Sequence, residues 1–585
     1  MRRLLALSFT AASLLLCSGS LGQNAHGTPP PPPPGATKDP PELQPDVLKY
    51  PSPPQESNGK RAATGRLRVY TRLVQVSVIA QDKDGNPVSG LTKDDFKIYD
   101  RRKEQPIASF AKFSSTRLVN ASTSAPARAP NIFSNDVSAS LNSVAPVTVI
   151  LLDALNTDPD DMVPAREQVI RFISQVLPGE RVALYSLTSK LLILREFTTD
   201  RDSLQRAAEK ATRAETSQGL ETQAPASAQM IAGNLAYLAW ATEASWRGEV
   251  MSATNKTEKT VAAFRVIAKH LSGVPGRKNL VWISGTFPIR MGGNVAIMRN
   301  PQGEQADFTD SVMQAVHALS DANVAIYPID TRGLIAPDYI RQKLLGKPRQ
   351  PQSAELSTLH ELAGGTGGLA FYNTNDIFGA IQKSIDDSRE TYELGYYPSH
   401  SEWDGTFRDI KVTVKRPGVH LRYRSGYVAS DFAAAKQTSL KQAIDDAVAN
   451  SLEQTEITMS VQADAIDVPG ARQLAVNVRV APGQLRFQKN AERWADDLEV
   501  VWVELDPDGK VLATTSKTVN MRLPDAAYQE AAEKGVSFSG KLTLRGDAAE
   551  VKVIARDSSS GSIGSVNIPL AQLFTAPAPA APVKQ

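Results

Sequence analysis

Between residues 146 and 395 the sequence alternates two kinds of segment, and this alternation restricts the fold more than any other feature. Short runs of apolar, often β-branched residues recur: Val147–Leu152, Val182–Leu187, Asn279–Ser284, Val324–Ile329 and Leu369–Tyr372. A run without polar interruption marks a strand buried on both faces, as in parallel sheets covered by helices. Amphipathic stretches separate the runs. One carries Val163, Val169, Ile170, Phe172, Ile173 and Val176, and others span about 202–212, 224–271, 308–319 and 377–388. Strands alternating with helices predict an α/β domain, Rossmann-like and doubly wound, with any ligand beyond the carboxyl ends of the strands.

On either side of this domain the period changes to that of β structure. Residues 66–115 alternate, with Val74, Val76 and Val78 on one face, and form an N-terminal β module completed by strands within 400–430. Residues 116–145 are rich in Ser, Ala, Asn and Pro and read as a linker. Residues 396–430 return to strands, 431–454 form a helical connector, and 455–574 carry the strand pattern of a β-sandwich. The expected architecture is therefore a central α/β domain flanked by β-sandwich-like modules. A length of 585 residues fits it, at roughly 100–200 residues per domain.

The ends differ in kind. Met1-Arg2-Arg3, the apolar stretch Leu4–Cys17 and small residues up to Gly22 have the layout of a secretory signal peptide, 1–22. A Pro-rich spacer, 23–65, follows with an unbroken run from Pro29 to Pro34, and an Ala/Pro tail occupies 575–585. The expected location is exported: periplasmic, cell-surface or secreted. Cys17 is the sole cysteine, and a lipid anchor on it is the alternative, although Leu16 stands where a lipobox needs a small residue. No transmembrane span is expected beyond the leader. A net charge of +3, with no Lys/Arg stripe, gives no basis for nucleic-acid binding.

Several chemical signatures fail. None of the six histidines pairs at i, i+4, which removes the usual zinc-hydrolase arrangement, and no G-x-S-x-G elbow occurs. Gly364–Gly368 follows a helix and precedes a strand, the reverse of a phosphate cradle, and reads as a helix C-cap. Asp82, Asp84 and Asn86 have the spacing of a calcium loop, but Pro87 and Lys93 stand where that loop needs Gly and Glu, so a hairpin turn is expected. No catalytic residue and no organic cofactor is assigned.

The segments LLDALNT, PGRKNLVWISGTFP, VAIYPIDTRGL, LAGGTGGLAFYNTNDI, SRETYELGYYP and FRDIKVTVKRPG, with VSVIAQDKDGNPVSGLTKDDFKIYD near the N-terminus, together resemble a family. Residues 146–395 resemble a von Willebrand factor A-type (vWA) domain, and about 66–430 resemble the VWFA-related domain proteins of Acidobacteria. That resemblance implies a divalent-cation site at the top of the sheet, built from D-x-S-x-S, a Thr and a further Asp, with Mg²⁺ or another divalent cation bound. In this sequence Asp153 matches the first ligand. Leu155 replaces the first Ser, Thr157 stands at the second, and Asn156 lies between them. Thr216 or Ser217 is the candidate from the second loop. Ser284-Gly285-Thr286 lacks the carboxylate of the third, and Asp158, Asp160 and Asp161 are possible substitutes. The expected site is thus a degenerate one: Asp153, Asn156, Thr157 and Thr216. The expected function is non-catalytic binding or scaffolding toward a protein or cell-envelope partner. A hydrolase assembled from loops and a purely structural envelope component are the alternatives.

Overall fold

A computed structural model describes residues 73–114, 131–136, 146–177, 179–218, 235–285, 290–291, 306–334, 352–400, 403–430, 440–449, 452–468, 471–490 and 492–574. The expected leader with Cys17, the Pro-rich spacer and the C-terminal tail lie outside the described residues.

The apolar runs form one five-stranded sheet. Its order is Val324–Asp330, Lys278–Ser284, Val147–Asp153, Arg181–Leu187, Leu191–Thr198. The first four strands are parallel and the last, an edge, is antiparallel. Every residue of Val147–Asp153 is buried, and alternate side chains enter opposite cores. Val147, Val149 and Leu151 join Leu280 and Trp282 against Phe264, Ile267, Val316 and Leu362. These last four come from the helices Leu235–Leu271, Thr309–Asp321 and Gln352–Thr366. Ile150, Leu152 and Ile283 face Val169, Phe172 and Ile381, from the helices Pro159–Ile173 and Ile377–Asp386. Helices on both faces are the reason these strands contain no polar alternation. The helix Arg201–Gln218 follows the edge strand. The expected strand Leu369–Tyr372 is reduced to a single parallel bridge, Ile329 to Phe371.

The glycine run ends a helix. Gly368 N–H donates to Ala363 O at 2.8 Å and Gly367 N–H to Gly364 O at 3.3 Å, the paired bonds of a Schellman cap, with Gly367 at φ +77°. A Cβ on Gly368 would lie 1.8 Å from Ile326 O, inside the adjacent sheet strand. Gly368 is therefore required by close approach of two backbones.

Two boundaries differ from expectation. Glu390–Tyr396, the last strand placed within the 146–395 domain, does not join the central sheet. It pairs antiparallel with Val74–Gln81 and with Ile107–Ser114. His420–Arg422 completes that four-stranded sheet, and a second one runs Gly426–Ser430, Asp404–Val414, Phe96–Asp100, Lys103–Gln105. The two share a core of Val76, Val78, Ile98, Tyr392, Leu394 and Val412. Pairing across some 300 positions overrides chain continuity here. Within the expected linker 116–145, Ile132–Ser134 adds a short strand to Met459–Val468 of the C-terminal sandwich.

That sandwich packs two sheets around Val461, Val476, Val500, Trp502 and Val553. One runs Val536–Leu544, Ala471–Val480, Met459–Val468, Ile132–Ser134. The other contains Gln488–Asn490, Arg493–Leu505, Glu550–Asp557 and Ile563–Pro569, with Val511–Leu523 also paired to Arg493–Leu505. The connector helix Leu440–Ala449 covers the outer face of the second sheet, burying Ala447 against Val501, Val503 and Ile554.

The sandwich meets the α/β layers at a polar junction. Thr455 N–H donates to Lys269 O at 3.2 Å, and its hydroxyl donates to His270 O and accepts Gly273 N–H, both at 2.8 Å. His270 Nδ1 lies 2.7 Å from Glu453 O, and its Nε2 lies 3.6 Å from the Glu196 carboxylate. Burial, with the nearby Glu196 charge adding to it, pushes the Glu453 carboxyl up to about 7 against the Asn567 N–H that favours its ionised form. Burial lowers the His270 pKa, but its contacts with Glu196 and Glu453 outweigh this and leave it raised.

Two predictions follow from this packing. Gly368→Ala should destabilise the chain by about 1–3 kcal/mol through overpacking, read as a lower urea midpoint. The second concerns pH. Folded Glu453 keeps its proton to about 7, whereas an unperturbed Glu loses it near 4.5. Its contribution to stability is therefore full below the unfolded pKa and declines as pH rises between the two values. His270, with its raised pKa, adds loss in the same direction. Urea midpoints should fall from about pH 5 to about pH 8, with Glu453→Gln removing on the order of 2–3 kcal/mol of that fall.

Candidate functional site

The carboxyl ends of the parallel strands bring Asp153, Leu187, Ser284 and Asp330 to one edge of the sheet. Asp153 is completely buried there. Its Oδ1 accepts Asn156 N–H at 3.1 Å. Its Oδ2 accepts Asn156 Nδ2 at 2.8 Å, Trp282 Nε1 at 2.9 Å and Ser284 Oγ at 3.0 Å. Burial pushes the Asp153 pKa up, and these bonds, led by that from the Asn156 side chain, oppose the shift.

Asn156 extends the network, its Nδ2 also donating to Thr260 Oγ1 at 2.8 Å on the long helix Leu235–Leu271. Thr157 Oγ1 accepts Gly285 N–H at 2.8 Å. A Cβ on Gly285 would meet Asn156 O and Thr157 Cα at 3.1 Å, so the first and third loops lie backbone against backbone. Leu155 packs on the apolar core, and its N–H donates to Leu187 O at 3.0 Å. Asp158 and Asp160 are exposed at the start of the following helix, where Asp158 O accepts the N–H groups of Asp161 and Met162. Thr216 falls on the helix Arg201–Gln218, and its side chain, like that of Ser217, lies outside the described residues. Thr286 does as well.

The second carboxylate at this edge is also committed. Asp330 is buried opposite Ser284, and Arg332 holds it through Nε at 2.8 Å and Nη2 at 2.7 Å, with the Arg332 N–H at 3.0 Å. This is the fork geometry that suits a guanidinium to a carboxylate.

Magnesium requires near-octahedral oxygen lone pairs. The groups gathered around Asp153 are N–H and O–H donors, and the Thr157 hydroxyl oxygen accepts an amide N–H. Among the described residues, no group of three or more His, Cys, Asp or Glu converges. Among the described residues the structure brings Asp153, Asn156 and Thr157 together as a hydrogen-bond network.

Three members of the network, Trp282, Ser284 and Thr260, were not among the expected site residues. For two of them a signal existed. Trp282 and Ser284 are spaced by two on one strand, so they share a face, and Leu151 pairs with Trp282 in the register that continues toward Asp153 and Ser284. The calcium-loop spacing near the N-terminus resolves as the expected turn: Asp82 Oδ1 accepts the N–H groups of Asp84 and Asn86, both at 2.9 Å.

No family model matches the chain, and neither does any curated protein. Solved structures that match the chain include a von Willebrand factor type A protein from Catenulispora acidiphila, at 9% identity over 81% of this chain and 75% of that one, TM-score 0.23. A conserved hypothetical protein BatB from Bacteroides thetaiotaomicron shares 13% identity over 42% of this chain and 98% of that one, TM-score 0.22. The pilus adhesin SpaC from Lactobacillus rhamnosus GG shares 8% identity over 83% and 61%, TM-score 0.23.

Removing the acceptor tests the network. Asp153→Ala leaves the Trp282 and Ser284 donors without their acceptor, at about 1–3 kcal/mol for each buried group left unpaired. The expected outcome is a loss of about 2 kcal/mol or more in chemical denaturation.

Proposed function

We propose that this is an exported, non-catalytic binding or scaffolding protein that presents the loop-bearing edge of a doubly wound, vWA-type α/β domain to a protein or cell-envelope partner, without a cation. The supporting observation is the fate of the two sheet-edge carboxylates. Asp153 is held by Asn156, Trp282 and Ser284, and Asp330 by Arg332. Both are engaged by protein donors, and on this reading recognition rests on the shape and polarity of a preorganised loop surface. The narrower kinship with the VWFA-related proteins of Acidobacteria rests on the sequence motifs alone. Export rests on the leader pattern of residues 1–22. Among the described residues no helix is long and apolar enough to cross a membrane.

The test is chemical cross-linking of the mature chain in envelope extract, with the linked peptides identified by mass spectrometry. The expected result is a reproducible partner linked through loops following Asp153 or Asp330, retained in excess EDTA. Links no more frequent than those of an unrelated exported control would overturn the binding reading, and loss in EDTA would overturn cation independence.

A further inference from the structure

The C-terminal sandwich contains a cavity of about 420 Å³, remote in sequence from the sheet-edge network. It lies between the segment following Ala471–Val480, the helix Asp525–Lys534 and the turn at Ser559. Leu485, Phe487, Tyr528, Ala531 and Val536 supply an apolar lining. The aromatic wall is ordered: Tyr528 stacks on Trp494 at 3.9 Å between centroids and meets Phe487 edge-on at 5.6 Å. Gly535, at φ +81°, closes one side, where a Cβ would lie 2.2 Å from Val480 O.

The opposite wall is anchored from behind by two buried aspartates. Asp557 accepts the N–H groups of Arg486 at 3.0 Å, Ser559 at 2.7 Å and Ser560 at 3.1 Å. Asp496 accepts the Ser559 hydroxyl at 2.8 Å. Arg486 and Ser559 both line the cavity, so carboxylates that never reach it fix its shape. Such support distinguishes a prebuilt site from a packing defect, which a sandwich core would close at little cost.

Both charged residues of the lining are cations. Arg486 and Lys489 line the cavity, and no carboxylate does. Asp525, outside the lining, holds Lys489 Nζ at 2.7 Å and accepts Trp494 Nε1 at 2.7 Å, which sets the ammonium 5.4 Å from the indole centroid. The volume lies within the roughly 300–1,000 Å³ range of small-molecule sites.

We propose that this cavity is a second binding site, for a small molecule with a planar apolar body and one carboxylate. The body lies along Phe487 and Tyr528, and the carboxylate meets Arg486 and Lys489 at the mouth. The site is independent of the sheet-edge reading and stands or falls separately.

The test uses the mature full-length chain and 2-naphthoate, followed by calorimetry. Saturable one-to-one binding is expected, with 2-naphthol, which lacks the charge, at least about tenfold weaker. Lys489→Gln should weaken naphthoate by about tenfold, and Ala532→Trp, which fills the cavity, should abolish binding. If Ala532→Trp does not fold by circular dichroism, Tyr528→Ala takes its place, with loss of naphthoate binding expected. Absence of saturable naphthoate binding, equal affinity for 2-naphthol, or undiminished binding in a folded cavity variant would each overturn the proposal.

Discussion

A fully buried carboxylate is the constraint around which the central domain is arranged. Asp153 ends a strand with no exposed residue, so its charge has no water to lean on. Ionised carboxylates are tolerated in such places only when donors surround them. Here the donors come from two places: the loop that follows, through Asn156, and the neighbouring strand, through Trp282 and Ser284; Asn156 also donates to Thr260 on the long helix. The network therefore ties together the loop, the neighbouring strand and the long helix. Thr157 adds the third loop by accepting Gly285 N–H.

The same chemistry bears on the cation site that the sequence resemblance implies. A metal site needs oxygen atoms with free lone pairs converging on one point. This chain has Leu155 where one of those oxygens would stand, and Asn156, the spacer before Thr157, turns its N–H groups toward the carboxylate. Asp330 could have offered a further negative charge, but Arg332 satisfies it two residues on. Hydrogen-bond donors engage Asp153 and a guanidinium engages Asp330.

Much of the fold was legible because it is written locally. Continuous apolar runs such as Val147–Leu152 and periodic helices such as Pro159–Ile173 signal their own state, and Gly364–Gly368 signalled a helix end. What was not legible depends on pairing between distant segments. Glu390–Tyr396 follows the α/β helices without a break, yet its partners begin at Val74 and Ile107. Ile132–Ser134 is too short to carry a period, and only the unpaired edge of Met459–Val468 gives it a place. The candidate site divides the same way. Asp153, Asn156 and Thr157 sit in one short segment, whereas Trp282 and Thr260 reach it across more than 100 positions. The direction of the Asn156 amide, which links Asp153 to Thr260, is a three-dimensional fact.

The central claim is that protein donors, not a cation, satisfy Asp153. Calorimetric titration of Mn²⁺ or Mg²⁺ into the metal-stripped mature protein tests it most directly. No saturable heat is predicted. Stoichiometric binding that disappears in Asp153→Ala, with the variant still folded, would contradict the account.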